Sequence, residues 1–189
     1  MLNEALSFVR KQLDDSLRAE FGLADSVVAL NSLVNSEGEA PQKNQNKLVV
    51  TLINLEAETS KQFYGGKVSD AVNVLKINPA VRFNLSALFS ANFDDYEESL
   101  KFLSATIRYF QANNCLNLQN SPSIPQGVEK LQFEIESVDS FQIHNLWSSM
   151  GAKYIPSILY RIRHISIQAN EIFNTVDRVT ETELGVAPV

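Results

Sequence analysis

The stretch KLVVTLINLE, residues 47–56, decides the fold of this chain. Apolar residues occupy both alternating sets of positions in it, which is typical of a strand that is covered on its two faces. A polar loop with Gly38 and Pro41 precedes it over residues 35–46. Before that loop, the apolar and β-branched start of residues 26–33 predicts a short strand. The sequence therefore places residues 47–56 at the centre of a sheet.

Three segments further along the chain have the periodicity of strands. Residues 81–89 and 131–135 alternate between apolar and polar side chains, so each is expected to bury one face. Residues 157–168 form a longer segment whose apolar phase shifts after Ile162. Because one face of a strand cannot hold both phases, the shift predicts a β-bulge near residues 163–164.

Three helices accompany these strands. Residues 2–21 are amphipathic and stop at Gly22. Asp94 is the predicted N-cap of a second helix, and a third covers about residues 139–150 before Gly151. The predicted inward stripes are Leu2, Leu6, Val9, Leu13 and Leu17 on the first helix, Tyr96, Leu100, Leu103, Ile107 and Phe110 on the second, and Ile143, Leu146, Trp147 and Met150 on the third.

This order of elements predicts the fold class and the domain organisation. Strands that follow one another directly, with helices between only some of them, favour an α+β fold with a mixed, largely antiparallel sheet and about three packed helices. The length of 189 residues fits a single domain over residues 1–189. Residues 57–79 are an irregular excursion in which 68–77 could form a short strand, a last short strand covers 172–179, and 180–189 are expected to be a loose tail.

Composition and charge exclude several classes of protein. The formal net charge of −6 argues against a nucleic-acid-binding surface, which would be basic and clustered. Cys115 is the single cysteine, so no intrachain disulfide forms. The first residues lack the pattern of a signal peptide, and no apolar run has the length of a membrane span. We therefore expect synthesis and assembly in the cytoplasm, without membrane insertion.

The residue types that carry chemistry do not form a recognisable site. Cys115 could pair with His144 or His164, but it lies in a polar loop with no helix N-terminus and no basic neighbour in the sequence to activate it. Two histidines twenty positions apart are not a metal motif, and the acidic residues 94–98 are explained by helix capping. The sequence predicts no catalytic, metal-binding or cofactor-binding residues, and hence no enzyme.

Five residues are instead candidate contacts with other subunits or partners. Phe8, Phe102 and Tyr109 are aromatic residues that lie outside the core stripes of the first two helices. They indicate either a second layer above those helices or an oligomer interface. Arg161 and Arg163 share one face of the last long strand, where they are either solvated or paired with an acidic neighbour.

The sequence also resembles a known family over about residues 2–168. The matching segments are Glu4 to Phe8, Leu33 to Asn35, Asn46 to Asn54, Leu88 to Phe93 with Tyr96 to Glu98, Leu146 and Trp147, Gly151 to Tyr154, and Pro156, Ser157 and Tyr160. Together they are similar to the tube-terminator, or cap, domain of phage-tail-like contractile injection systems. Residues 57–79 and the tail from about 170 do not share in this resemblance.

The resemblance implies a function and a set of partners. It implies a phage tail-terminator-like fold that forms a ring, expected to be a homohexamer, which ends the inner tube and helps to cap the sheath. The implied partners are copies of the chain, the inner-tube protein, the sheath protein and a second cap-family protein, with no nucleic acid and no cofactor. The particle would then be released or docked on a membrane. Two alternatives stay open: an adaptor between the inner tube and a separate cap, and a small soluble enzyme or ligand-binding module.

Overall fold

The computed structural model describes residues 1–58, 67–69, 73–77, 81–128, 130–167 and 172–177. Within these residues, the chain forms three α-helices, a six-stranded sheet and a separate three-stranded sheet. The helices are α1 (Leu2–Phe21), α2 (Tyr96–Ala112) and α3 (Ser140–Met150), with a 3₁₀ turn at Gln42–Asn44. The strands are β1 (Val28–Leu30), β2 (Lys47–Ala57), β3 (Lys67–Ser69), β4 (Asn73–Ile77), β5 (Val81–Asn92), β6 (Cys115–Asn117), β7 (Lys130–Ile135), β8 (Ser157–Ile167) and β9 (Ile172–Asp177).

The predicted mixed, largely antiparallel sheet is confirmed. Its strand order is β1-β2-β5-β8-β7-β6, and only the pair of β1 and β2 is parallel. The excursion contributes β3 and β4, which pair with each other and with β9 in the smaller sheet. The predicted last strand is therefore present as β9, while the expected tail, residues 180–189, lies outside the described residues.

The β-bulge predicted on the last long strand is also confirmed. Phe83 pairs with Ile165, whereas Leu85 pairs with Ile162. Two steps along β5 thus correspond to three along β8, which leaves one extra residue on β8 at positions 163–164. The bulge changes the phase of β8, so that Ile162 and Ile165 are both buried in the same core.

Helices cover both faces of the sheet, so β5 is more deeply buried than its pattern indicates, whereas β2 is buried less than predicted. α1 and α2 cover one face over a core that includes Phe89 and Phe110, and α3 covers part of the other face through Trp147. Every residue of β5 from Leu85 to Ala91 is buried, so the expectation of one exposed face is wrong. β2 is covered on both faces only at its beginning, and its later residues reach the surface.

The second helix differs most from its prediction. Its N-cap is Asp95, whose side chain accepts a hydrogen bond from the Glu97 N–H. Asp94, the predicted cap, instead accepts a hydrogen bond from the side-chain amide of Asn46 at 3.1 Å. The helix is also rotated: Tyr96 is 65% exposed, and the buried residues of α2 are Ser99, Phe102, Ala105, Thr106 and Phe110.

The first and third helices match their predictions closely. Gly22 and Gly151 end α1 and α3 in the left-handed conformation, at φ 65° and 66°. Asp139 begins α3 with a complete capping box that includes Gln142. Trp147 is the fully buried residue of α3, as predicted, at 5% exposure. None of the helices in the described ranges is long and apolar enough to span a membrane.

Candidate assembly surfaces

Phe8 and Phe102, proposed above as contact residues, lie in the core. Phe8 is 6% exposed and Phe102 is 8% exposed. α1 contacts both β1 and α2, so it buries a wider face than a single stripe. The ring of Phe102 stacks on Phe93 at a centroid distance of 4.4 Å and contacts Phe21 at 4.7 Å. The expectation that these two aromatic residues stand outside the core is therefore wrong, and a contact role would require them to leave it.

Tyr109 occupies an intermediate position at the edge of the same core. It is half-buried and contacts Phe110 edge-on, with a centroid distance of 5.1 Å. Burial, together with the nearby charge of Asp15, raises the pKa of the Tyr109 phenol to about 12. Tyr109 is thus a neutral, partly accessible aromatic residue, and its role in a contact stays a prediction.

Arg161 is engaged by carboxylates of its own chain. Its Nη2 donates to Glu136 Oε1 at 3.0 Å and lies 3.6 Å from Glu56 Oε2. Ser86 Oγ donates to the other oxygen of Glu136 at 2.9 Å. The guanidinium is 37% exposed, so it is neither fully solvated nor unpaired.

Arg163, two residues further along β8, has a similar arrangement. Its Nη2 lies 3.1 Å from Glu58 Oε1 and its Nη1 lies 3.3 Å from Glu134 Oε1. The hydrogen bonds that the guanidinium donates to these two carboxylates raise the pKa of Arg163 further above its ordinary value. Because both arginines already bind acidic side chains within the chain, they have little capacity left for an acidic neighbour, and a contact role for them stays a prediction.

The residues considered for catalysis or metal binding are not brought together. Cys115 is half-buried on the short strand β6, and His144 is exposed on α3. The side chain of His164 lies outside the described part of the chain. In the ranges that the structure describes, no three side chains of His, Cys, Asp or Glu are grouped as a metal site would require.

The structure exposes other large apolar side chains that the sequence did not single out. They lie at the start of α2, on and after α3, and at the β6–β7 edge of the sheet. Their exposed fractions are 65% for Tyr96, 42% for Leu100, 72% for Phe141, 64% for Tyr154, 59% for Ile135 and 64% for Leu118. The sequence assigned Tyr96 and Leu100 to the core, because a helix with two apolar stripes does not reveal which one faces inward.

Two shallow cavities lie beside these side chains. One, of about 440 Å³, lies between the loop at Leu33 and Val34 and the end of α3, and is lined by Trp147 and Lys153. The other, of about 330 Å³, lies between the end of α1 and the outer face of α2. The second cavity is lined by Glu20, Lys101 and Arg108, of which Glu20 and Arg108 form an ion pair.

Comparisons with known proteins give a consistent result. The family model of the Pvc16 N-terminal domain matches residues 6–181. The cryo-EM structure of the sheath/tube terminator of PVC, an extracellular contractile injection system, in its extended state matches with a TM-score of 0.64 and 15% identity, over 96% of this chain and 63% of that chain. The anti-feeding prophage cap, described as an AFP tube-terminating cap, matches with a TM-score of 0.63 and 12% identity, over 94% of this chain and 60% of that one.

These matches show a similarity of fold that covers nearly all of this chain but only part of each of the two other proteins. At such identities the two structures show a shared fold, and this chain spans about three-fifths of the length of each of them. No curated protein matches the sequence significantly.

Proposed function

The chain belongs to the Pvc16 N-terminal domain family, and we propose that it is a structural component of a contractile injection system that ends the inner tube and helps to cap the sheath. The observation that carries the proposal is the agreement between the family match over residues 6–181 and a fold shared over 96% of the chain with a sheath/tube terminator. The shared fold includes the mixed sheet and its three helices, which position the exposed apolar side chains described above.

The proposal extends to the assembly and its partners. We infer that the chain forms a ring, expected to be a hexamer, with the inner-tube protein on one side and the sheath protein around it. A second cap-family protein is a further partner. A ring closes only through a head-to-tail contact in which two different surfaces of each subunit meet. The exposed aromatic and aliphatic side chains on opposite faces of the sheet are consistent with such a contact.

The test is deletion of the chain in cells that make the particle. Without a terminator we expect tubes and sheaths of irregular length, measured by negative-stain electron microscopy, and re-expression of the chain should restore a uniform length. Native mass spectrometry of the purified protein over a concentration series tests the ring, which should appear at six times the mass of the monomer.

Two outcomes would contradict the proposal in different ways. Tubes of normal length that lack only their outermost density would make the chain an adaptor between the tube and a separate cap. Particles that are normal in length and composition would remove the structural role altogether, and the ligand-binding or enzyme alternative would then have to be tested on the cavity beside Trp147.

A further inference from the structure

The chain seals two of its edge strands with its own side chains. At β1, Asp14 Oδ1 accepts the outward N–H of Val28 at 2.8 Å. At β6, Asn120 accepts the N–H of Asn117 at 2.8 Å and donates to the carbonyl of Cys115 at 2.7 Å. Such caps occupy outward backbone groups and so hinder the pairing of a foreign strand at these positions.

The second half of β2 forms a further edge, of which one outward group is capped in this way. β1 pairs with β2 only from Leu48 to Val50. Beyond a β-bulge at Ile53, no described strand lies on the outer side of β2. The Glu58 N–H bonds inward to the carbonyl of Arg82, so Leu55 and Ala57 direct their backbone groups outward.

Only one of these outward groups has a partner among the described residues. Asn54 Oδ1 accepts the N–H of Leu55 at 2.9 Å. Within the ranges that the structure describes, the carbonyl of Leu55 and both backbone groups of Ala57 have no hydrogen-bond partner. The edge has no proline and no lysine, the residues that usually protect such positions.

The side chains on this edge indicate what kind of strand would fit. Leu55 pairs with Leu85 of the core, so it lies on the face covered by α1 and α2, yet it is 40% exposed. Glu56 lies on the opposite face and is 45% exposed. Its Oε1 accepts a hydrogen bond from the Asn54 amide at 3.2 Å, and its Oε2 lies 3.6 Å from Arg161, which is closer to Glu136. Because Arg161 is shared between two carboxylates, the negative charge of Glu56 is only partly compensated. A partner strand should therefore place apolar residues beside Leu55 and basic residues beside Glu56.

We propose that residues 54–57 of β2 are a docking edge for an extended segment of a partner protein in which apolar and basic residues alternate. The segment adds a strand to the six-stranded sheet through backbone hydrogen bonds to Leu55 and Ala57. The proposal does not depend on the tube-ending function, because the edge is a property of the isolated chain.

The test uses the whole purified chain and a capped hexapeptide of alternating valine and lysine. We expect binding by calorimetry and, on hydrogen exchange, new protection of the Ala57 amide.

Three matched measurements separate strand addition from simple charge attraction. The same peptide N-methylated along one edge, and a valine–glutamate peptide, should each bind at least about tenfold more weakly. Glu56→Gln should weaken the lysine peptide and leave the melting temperature unchanged.

A change in the protein itself completes the test. Ala57→Pro removes an outward N–H and no bond to β5, so it should abolish peptide binding in a protein that still melts cooperatively. Equal binding of the N-methylated peptide would overturn the proposal. So would an Ala57 amide that is already protected without peptide, since the edge is then covered by the chain itself. If the chain self-associates and Ala57→Pro abolishes that association, the occupant of the edge is a second copy of this chain and not the proposed partner protein.

Discussion

Asp14 joins the first helix to the start of the sheet, and its removal should be strongly destabilising. It is 4% exposed, and its Oδ1 accepts hydrogen bonds from the N–H of Val27 at 2.7 Å, the N–H of Val28 at 2.8 Å and the hydroxyl of Ser26 at 3.0 Å. Val27 and Val28 are themselves buried, at 6% and 2% exposure. Replacing Asp14 by alanine therefore leaves two buried amides without an acceptor.

The magnitude follows from the number of bonds that are lost. Each buried donor left unsatisfied costs about 1–3 kcal/mol, so the two amides of Val27 and Val28 cost about 2–6 kcal/mol in Asp14→Ala. The hydroxyl of Ser26 adds little because that residue is exposed and can bind water. Asp14→Asn keeps one carbonyl oxygen as acceptor and loses only the charge, which should cost about 1–2 kcal/mol.

Urea denaturation followed by circular dichroism is the assay. Asp14→Ala should lower the midpoint with an unchanged slope, and Asp14→Asn should lie between it and the wild type. The matched control is Asp15→Ala, one position along the same helix but exposed, which should change the free energy of unfolding by less than about 0.5 kcal/mol. An Asp14→Ala protein with the midpoint of the wild type would refute the reasoning.

Three further predictions concern aromatic residues. Trp147→Ala should lower the free energy of unfolding by about 3–5 kcal/mol, measured in urea; an unchanged midpoint would mean that Trp147 is not part of the core. Phe102→Ala should lower the free energy of unfolding by a similar amount, about 3–5 kcal/mol. Tyr96→Ala, on the exposed side of α2, should change it by less than about 0.5 kcal/mol. If Tyr96→Ala were the more destabilising of the two, the stripe predicted from the sequence would be the buried one. The pKa of Tyr109 is raised from 10.0 to about 12 in the folded protein, so the neutral phenol contributes to the free energy of unfolding. That contribution is complete below pH 10 and is lost as the pH rises towards 12. Tyr109→Phe should remove that part of the alkaline loss of stability in denaturation curves from pH 9 upwards, and an identical pH dependence in both proteins would contradict the assignment.

The parts of the fold that the sequence predicted are those that depend on local signals. Gly22 and Gly151 end helices because a left-handed residue is needed there. A glycine directly after the last residue of a helical pattern is a local signal of such an end. The bulge on β8 follows from a shift of apolar phase within one strand. Trp147 lies on the only strongly apolar stripe of a short helix, so its burial could be predicted as well.

The failures depend on contacts between residues that are distant in the sequence. α2 carries two stripes with helical spacing, and only its packing against Phe21 and Phe93 buries Phe102 rather than Tyr96. The hydrogen bonds from Val27 and Val28 cross a separation of 13 and 14 residues to reach Asp14. No periodicity marks such a bond. The same holds for the contact surfaces, because a lone exposed aromatic residue and a core aromatic residue look alike until their neighbours are known.

The burial of Phe8 and Phe102 changes where a ring contact should be sought. A head-to-tail contact needs two different surfaces on each subunit, and each surface needs apolar anchors. α1 and α2 cover one face of the sheet, where Tyr96 and Leu100 are exposed; α3 covers the other, where Phe141 and Tyr154 are exposed. Tyr154 contacts the buried ring of Trp147 at a centroid distance of 5.4 Å, so the side chains to remove without disturbing the core are Tyr96, Leu100 and Phe141. We therefore expect a variant with Tyr96, Leu100 and Phe141 replaced by serine to keep the midpoint of unfolding within the range of surface substitutions and to lose assembled mass. A variant that assembles normally would move the contact to the sheet edges, where Ile135 and the open part of β2 remain exposed.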